Sequence, residues 1–139
     1  MKRVFLDTNV LLDILLKRDP FYDAAAKLWL KIESREMEGM VSLLSLGTIF
    51  YLVQKSADAK TARQAVKTIC RVLQIADSPG EAGRMALQSR MTDFEDALQY
   101  AVAALAEADC IVTRNPSDFP KRGKVPVLTP EEFLRRQLE

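Results

Sequence analysis

The sequence predicts an α/β fold: a three-layer sandwich with a mostly parallel central sheet of about five strands flanked by helices, in a single domain over residues 1–139. Three observations predict it. Short apolar runs alternate with helical stretches along the whole chain. Several of those runs meet a helix-capping residue or an X-Pro pair at once, leaving only short connections. At 139 residues, with 48% hydrophobic and 28% charged positions, the chain can bury one core.

The elements follow in order. Residues 3–6 form a buried strand, rich in apolar and aromatic side chains. Thr8 or Asn9 can cap the helix that follows, with Val10, Leu11, Ile14 and Leu15 on its apolar face. Asp19-Pro20 breaks it. A second helix over 21 to about 36 carries Ala24, Leu28 and Ile32 in register. Gly39 ends that connection, and 40–44 reads as a second strand. Ser45 can cap a third helix bearing Leu46, Ile49, Phe50 and Val53. A fourth, over 58 to about 73, has the stripe Ala62, Ala65, Val66, Ile69 and Val72. Residues 73–76 follow as a third strand, and Ser78-Pro79 starts a short helix to about 89. Thr92 opens the next helix, with Phe94, Ala97, Leu98, Ala101, Val102 and Leu105 inward. Strands at 110–113 and 125–128 complete the sheet, and Thr129-Pro130 caps a last helix ending near Leu138.

Composition excludes several chemistries. The net charge of +1 gives no global attraction to nucleic acid or membrane, so any nucleic-acid site must be local. No segment is apolar for the ~20 residues a bilayer span needs. The apolar start is broken by Asp7, Asn9 and Asp13, unlike a signal peptide, which points to the cytoplasm. Cys70 and Cys110 stand in no ligand spacing and read as buried apolar residues of a reducing compartment. The chain has no histidine, which removes histidine bases, serine and cysteine triads and His-containing zinc sites. Carboxylates, amides and hydroxyls remain, and such oxygen ligands suit Mg²⁺ or Mn²⁺.

The acids fall where that chemistry needs them. In a parallel sheet, ligands bind beyond the carboxyl ends of the strands. Asp7 ends the first apolar run, and Asp118 follows the fourth strand. Asp96 lies in the first turn of a helix, with Asp93 one turn before it on the same face. Carboxylates forced together repel, and a divalent cation relieves the repulsion while activating water against a phosphodiester. Each acid also has a plain reading. Asp7 could cap a helix, and Thr92-x-x-Glu95 matches a capping box. Asp118 could be a turn residue and Asp13 a solvated helix position. The aromatics Trp29, Phe50 and Tyr51 sit at helical spacing and read as core.

Three segments in order carry a resemblance: Phe5-Leu6-Asp7-Thr8-Asn9, Asp93-Phe94-Glu95-Asp96-Ala97-Leu98, and Val112-Thr113-Arg114-Asn115-Pro116-Ser117-Asp118-Phe119. Together they resemble the PIN-domain nucleases over essentially the whole chain, in a PilT-N-terminus-like bacterial branch that includes toxins of toxin–antitoxin pairs. The resemblance implies a Mg²⁺- or Mn²⁺-dependent endoribonuclease with Asp7, Asp96 and Asp118 as catalytic acids and metal ligands, and Asp93 as an added ligand. Thr8, Asn9, Thr113 and Asn115 would line the same pocket. The resemblance also implies an RNA substrate, a homodimer and an antitoxin partner that inserts into the acidic groove. The sequence departs from the pattern twice. Thr48 stands where many relatives carry glutamate, and Asn115 where many carry aspartate. Glu95 and Asp93 lie within a turn of Asp96 and can restore charge.

An RNA would need a positive rim. Lys17, Arg18, Arg90, Arg114, Lys121, Arg122 and Lys124 are available, and Arg114 inside the acidic motif is the expected phosphate contact. The reduced acid set leaves open a second reading, a catalytically weak or inactive PIN-fold module that binds RNA or protein. A phosphotransferase with Asp7 as nucleophile fits less well. Haloacid-dehalogenase-like phosphatases begin Asp-x-Asp, and here the third position is Asn9.

Overall fold

The computed structural model of the chain describes residues 2–137 and contains one five-stranded sheet with helices on both faces. The central strand is β1 (Arg3–Leu6), paired on one side with β2 (Glu38–Ser42) and on the other with β4 (Cys110–Val112). The edges are β3 (Gln74–Ala76) and β5 (Val127–Leu128), giving the order β3-β2-β1-β4-β5. All pairings are parallel, so every strand ends on the same side. The chain winds from β1 toward β3, then returns to β4 and β5 on the other side. This reversal opens a crevice beyond the ends of β1 and β4.

Helices α1 (Thr8–Leu15), α2 (Tyr22–Glu33), α3 (Leu43–Ser56), α4 (Ala59–Val72) and α7 (Pro130–Gln137) accompany the larger core cluster. Val4, Leu6, Val41 and Val112 meet Leu28, Ile49, Ile69 and Phe133 there. Helices α5 (Gly80–Gln88) and α6 (Phe94–Leu105) serve the smaller cluster, where Phe5, Met40 and Ile111 meet Ala82, Ala101 and Val102. Alternate residues of β1 thus feed opposite layers, which is why the strand reads as an unbroken apolar run. Gly39 lets α2 and α4 close onto the sheet. A Cβ there would lie 2.5 Å from Leu73 Cδ2 and 2.8 Å from Ile32 Cγ2.

The expected elements are all present, and their boundaries moved where a side chain found a better cap. Asp7, not Thr8 or Asn9, caps α1 by accepting from the Thr8 amide. Ser42, not Ser45, caps α3, so β2 ends two residues early. Asp93, not Thr92, caps α6. Helix α1 stops at Leu15, well before Asp19-Pro20, because Lys17 takes a left-handed φ of 49°. At α7 the expected cap holds as a reciprocal box: Glu132 N donates to Thr129 Oγ at 3.1 Å, and Thr129 N donates to Glu132 Oε1 at 3.2 Å. The end expected near Leu138 lies outside the described residues.

Some side chains depart from their expected places. Cys110 is buried as expected, but Cys70 is exposed. Phe94 is 49% exposed, and the buried turn of α6 carries Gln99 among its alanines. Tyr51 is 62% exposed and lies on an outer face of α3 with Leu43 and Leu44, away from the core. No helix among the described residues is long and apolar enough to cross a membrane.

Candidate functional site

Asp7 sits where β1 ends and α1 begins. The β1–β4 register pairs Leu6 with Val112, which sets Asp7 beside Thr113. The Asp7 carboxylate is 6% exposed and bound by neutral donors. Its Oδ1 accepts from the Thr8 amide at 2.8 Å and from Gln99 Nε2 at 3.2 Å. Its Oδ2 accepts from the Thr113 hydroxyl at 2.8 Å. No described lysine or arginine forms an ion pair with it. A buried carboxylate is costly without a partner, and here hydrogen bonds hold the group while leaving its charge in place.

Behind Asp7 lies a closed polar network that the sequence reading missed. Gln99 also donates to Ser45 Oγ at 3.0 Å, and its carbonyl oxygen accepts from the Ser42 hydroxyl. Ser45 Oγ lies 2.6 Å from Thr8 Oγ. Every fully buried side-chain polar atom among the described residues has a partner. The one sequence signal was a lone glutamine on an otherwise apolar helix face. Thr48, in the place of the family's glutamate, is half-buried on α3 and takes no part in this network.

The other acids gather in front. Asp93 caps α6, its Oδ1 accepting from the Asp96 amide at 2.9 Å. Asp118 is exposed in a short 3₁₀ turn over Pro116–Asp118. Asp96 is half-buried, and its carboxyl pKa is pushed up to about 7, first by burial and then by the charges of Asp7, Asp93, Asp118 and Glu95. Asp7, Asp93, Asp96 and Asp118 thus share one electrostatic neighbourhood. Asp93, Asp96 and Asp118 line a cleft of about 540 Å³ with Arg90 and Ser117.

Asn9 and Asn115 trim the rim. Asn9 Nδ2 lies 3.4 Å from Thr113 Oγ, and its Oδ1 accepts from the Arg114 amide at 3.2 Å. The Asn115 amide donates to Thr113 Oγ at 3.2 Å, while its side chain is exposed. Glu95 is exposed and meets Asp96 as a like charge. Arg114 points elsewhere. Its guanidinium is bidentate on Asp13, with Nε 3.1 Å from Oδ2 and Nη2 on Oδ1, and lies 4.0 Å above the Phe21 ring. Asp13, which read as a solvated position, is 2% exposed, with Arg18 a further 3.9 Å away.

The acidic groups on the cleft, Asp93, Asp96 and Asp118, offer carboxylate oxygens, which suit a hard divalent cation. No three acidic or thiol side chains among the described residues converge on one point in this arrangement. These residues make no all-protein cage; a hard cation held here would take one or two carboxylates and keep several waters.

Solved structures share this fold. VapBC2 from Rickettsia felis, bound to a DNA fragment from its promoter, superposes with a TM-score of 0.69 at 19% identity, covering 90% of this chain and 96% of that one. A toxin–antitoxin complex from Klebsiella pneumoniae gives 0.68 at 22%, covering 91% and 97%. VapC20 of Mycobacterium tuberculosis, a sarcin–ricin loop cleaving toxin, gives 0.61 at 20%, covering 78% and 86%. No curated protein matches the chain. A family model described as the PIN domain matches residues 3–117, most of the chain, and the protein therefore belongs to the PIN-domain family.

Proposed function

We propose that this chain is a cytoplasmic, Mg²⁺- or Mn²⁺-dependent endoribonuclease that hydrolyses RNA phosphodiester bonds, and that it is the toxin of a toxin–antitoxin pair. The observation that carries the reading is the placing of Asp93, Asp96 and Asp118 on one cleft with Asp7 near enough for its charge to act on Asp96. One or two of Asp7, Asp96 and Asp118 would ligate the ion directly and the rest through its waters, and Asp93 would add charge. When bound, the ion acts as a Lewis acid on the phosphoryl oxygens and lowers the pKa of a water. The residues do the rest. Thr8 and Thr113 donate to the Asp7 carboxylate, Asn9 accepts from the Arg114 amide, and the Asn115 amide donates to Thr113. With Arg114 committed to Asp13, Arg90 on the cleft wall supplies the phosphate contact.

The toxin assignment draws on family membership and on neighbours of the same fold that were solved as toxin–antitoxin complexes. The exposed apolar face of Leu43, Leu44 and Tyr51 on α3 suits burial in a homodimer. The test is incubation of the purified protein with structured and unstructured RNAs, with and without Mg²⁺ or Mn²⁺. Cleavage that requires the ion and is lost in Asp7→Asn and Asp96→Asn supports the reading. Cleavage that persists in both variants overturns it.

A second reading has its own observation. No three acids converge, and Thr48 and Asn115 leave the family's usual charge reduced. On that reading the fold is retained as an inactive module that binds RNA or protein. Calorimetry with Mn²⁺ separates the two: binding in the micromolar range that Asp7→Asn abolishes favours the nuclease.

A further inference from the structure

We propose that Gln99 is a positioning residue for the reaction, fixing the Asp7 carboxylate so that a single acceptor site, on Oδ2, stays free as a one-point ligand. The inference rests on the nuclease reading and adds to it a residue outside the acidic set.

Gln99 is 1% exposed on α6, one turn after Asp96 and on the same side. Burying a carboxamide is expensive unless its donors and acceptor are all met. Here they are, and the partners come from three other segments. Nε2 reaches Asp7 at the end of β1 at 3.2 Å and Ser45 on α3 at 3.0 Å, while Oε1 accepts from Ser42 at the end of β2. The amide is oriented without ambiguity, because a carboxylate on one side demands the NH₂ group and a hydroxyl serves the other. One side chain thus ties together the ends of two strands and two helices at the place where Asp7 must be aimed.

The count of lone pairs gives the consequence. An ionised carboxylate offers about four acceptor sites. On Oδ1 both are taken, by the Thr8 amide and by Gln99. On Oδ2 one is taken by Thr113. One remains. A lysine or arginine in place of Gln99 would also hold Asp7 but would cancel the charge that draws a cation. A neutral amide holds the carboxylate and leaves that charge intact. Groups that orient a metal's ligands in this way typically set affinity by about 10- to 100-fold.

The test uses Gln99→Met, which keeps the length and loses every hydrogen bond of the amide, with Gln99→Asn as a second variant that keeps the amide but is too short to reach Asp7. Three quantities are read: the Mn²⁺ dissociation constant by calorimetry with the metal alone, the kcat and KM of RNA cleavage, and the Asp7 side-chain conformation in metal-free crystals. The expected result is Mn²⁺ affinity and kcat both lower by about 10-fold or more, KM for RNA within twofold, and Asp7 turned from its present orientation. If Gln99→Met does not fold, the same result in Gln99→Asn supports the proposal. Unchanged Mn²⁺ affinity and an unmoved Asp7 in a folded variant, with only the Tm lowered, would overturn it and leave Gln99 a packing residue. If the parent chain neither binds Mn²⁺ nor cleaves RNA, the nuclease reading fails with it; an unmoved Asp7 then also removes the positioning role, and a turned one keeps it.

Discussion

Asp7 and Asp13 are two buried aspartates on one strand–helix unit, six positions apart, and the fold treats them in opposite ways. Asp13 is given a cation. Arg114 reaches it from 101 residues away with a bidentate guanidinium, Arg18 stands nearby, and Phe21 covers the arginine's face. Asp7 is given an amide, a hydroxyl and a backbone N–H, all neutral. The first arrangement completes a charge pair inside the protein. The second preserves a negative charge beside Asp93, Asp96 and Asp118, a state that costs free energy until something from outside relieves it. Burial alone does not mark a functional carboxylate; the kind of partner does.

That contrast can be broken from either side. The largest effect is expected at the closed pair. Arg114→Ala strands Asp13 and should cost about 3 kcal/mol of stability, the low end for a broken buried pair because Arg18 remains; urea denaturation measures it. Asp7→Asn should do the reverse. It weakens the hydrogen bond from Thr113 but also removes the repulsion between Asp7 and Asp96, so stability should change by less than about 1 kcal/mol while cleavage falls at least about 100-fold, or roughly 2.7 kcal/mol in the barrier. A loss of stability in Asp7→Asn as large as in Arg114→Ala would erase the distinction.

A smaller effect separates the two by pH. The folded protein holds the Asp96 pKa at about 7, above its ordinary 3.8. Below the ordinary value the group is protonated in folded and unfolded chains alike and has no effect. As pH rises toward 7 the unfolded chain loses its proton first, so the folded state is progressively penalised. Metal-free Asp96→Asn should therefore be more stable than the parent at pH 8 by about 1 kcal/mol after solvent screening of a half-buried group, with no difference near pH 3. Thermal melts at the two pH values check this, and an equal gain at both would place the effect outside ionisation. Smallest of all, Phe21→Leu keeps apolar cover over Arg114 but removes the ring face, for a cost of about 0.5 kcal/mol. The same melts at a single pH suffice.

The sequence revealed local features well. Each strand was an apolar run with a fixed end, and each helix had a stripe, so the layers and the approximate position of Asp7 followed directly. Caps were misplaced by one to three residues at Thr8, Ser45 and Thr92 because neighbouring Asp7, Ser42 and Asp93 were equally good acceptors. Only the backbone trajectory decides among such candidates. The paired fate of Asp13 was invisible because its partner is remote in the chain, and position 13 alone looked like an outer face. Gln99 was overlooked for a related reason. A polar residue in an apolar frame carries no label saying which buried groups it will meet.

Tyr100, next to Gln99 on α6, lines the cleft with Asp96 and Asp118, and its hydroxyl accepts a hydrogen bond from the Val125 amide at 3.2 Å. Its hydroxyl fills the space where a Cβ at Gly123 would stand, only 2.0 Å off. The segment from Pro120 to Val125 has no strand or helix of its own, yet it is pinned near its far end, with Phe119 buried at its near end. Lys121, Arg122 and Lys124 are exposed along this strap. A connection that would otherwise be the natural place for a protease to cut is instead clasped at both ends by aromatic side chains. The strap should thus outlast other exposed loops in limited digestion, despite carrying the residues trypsin prefers.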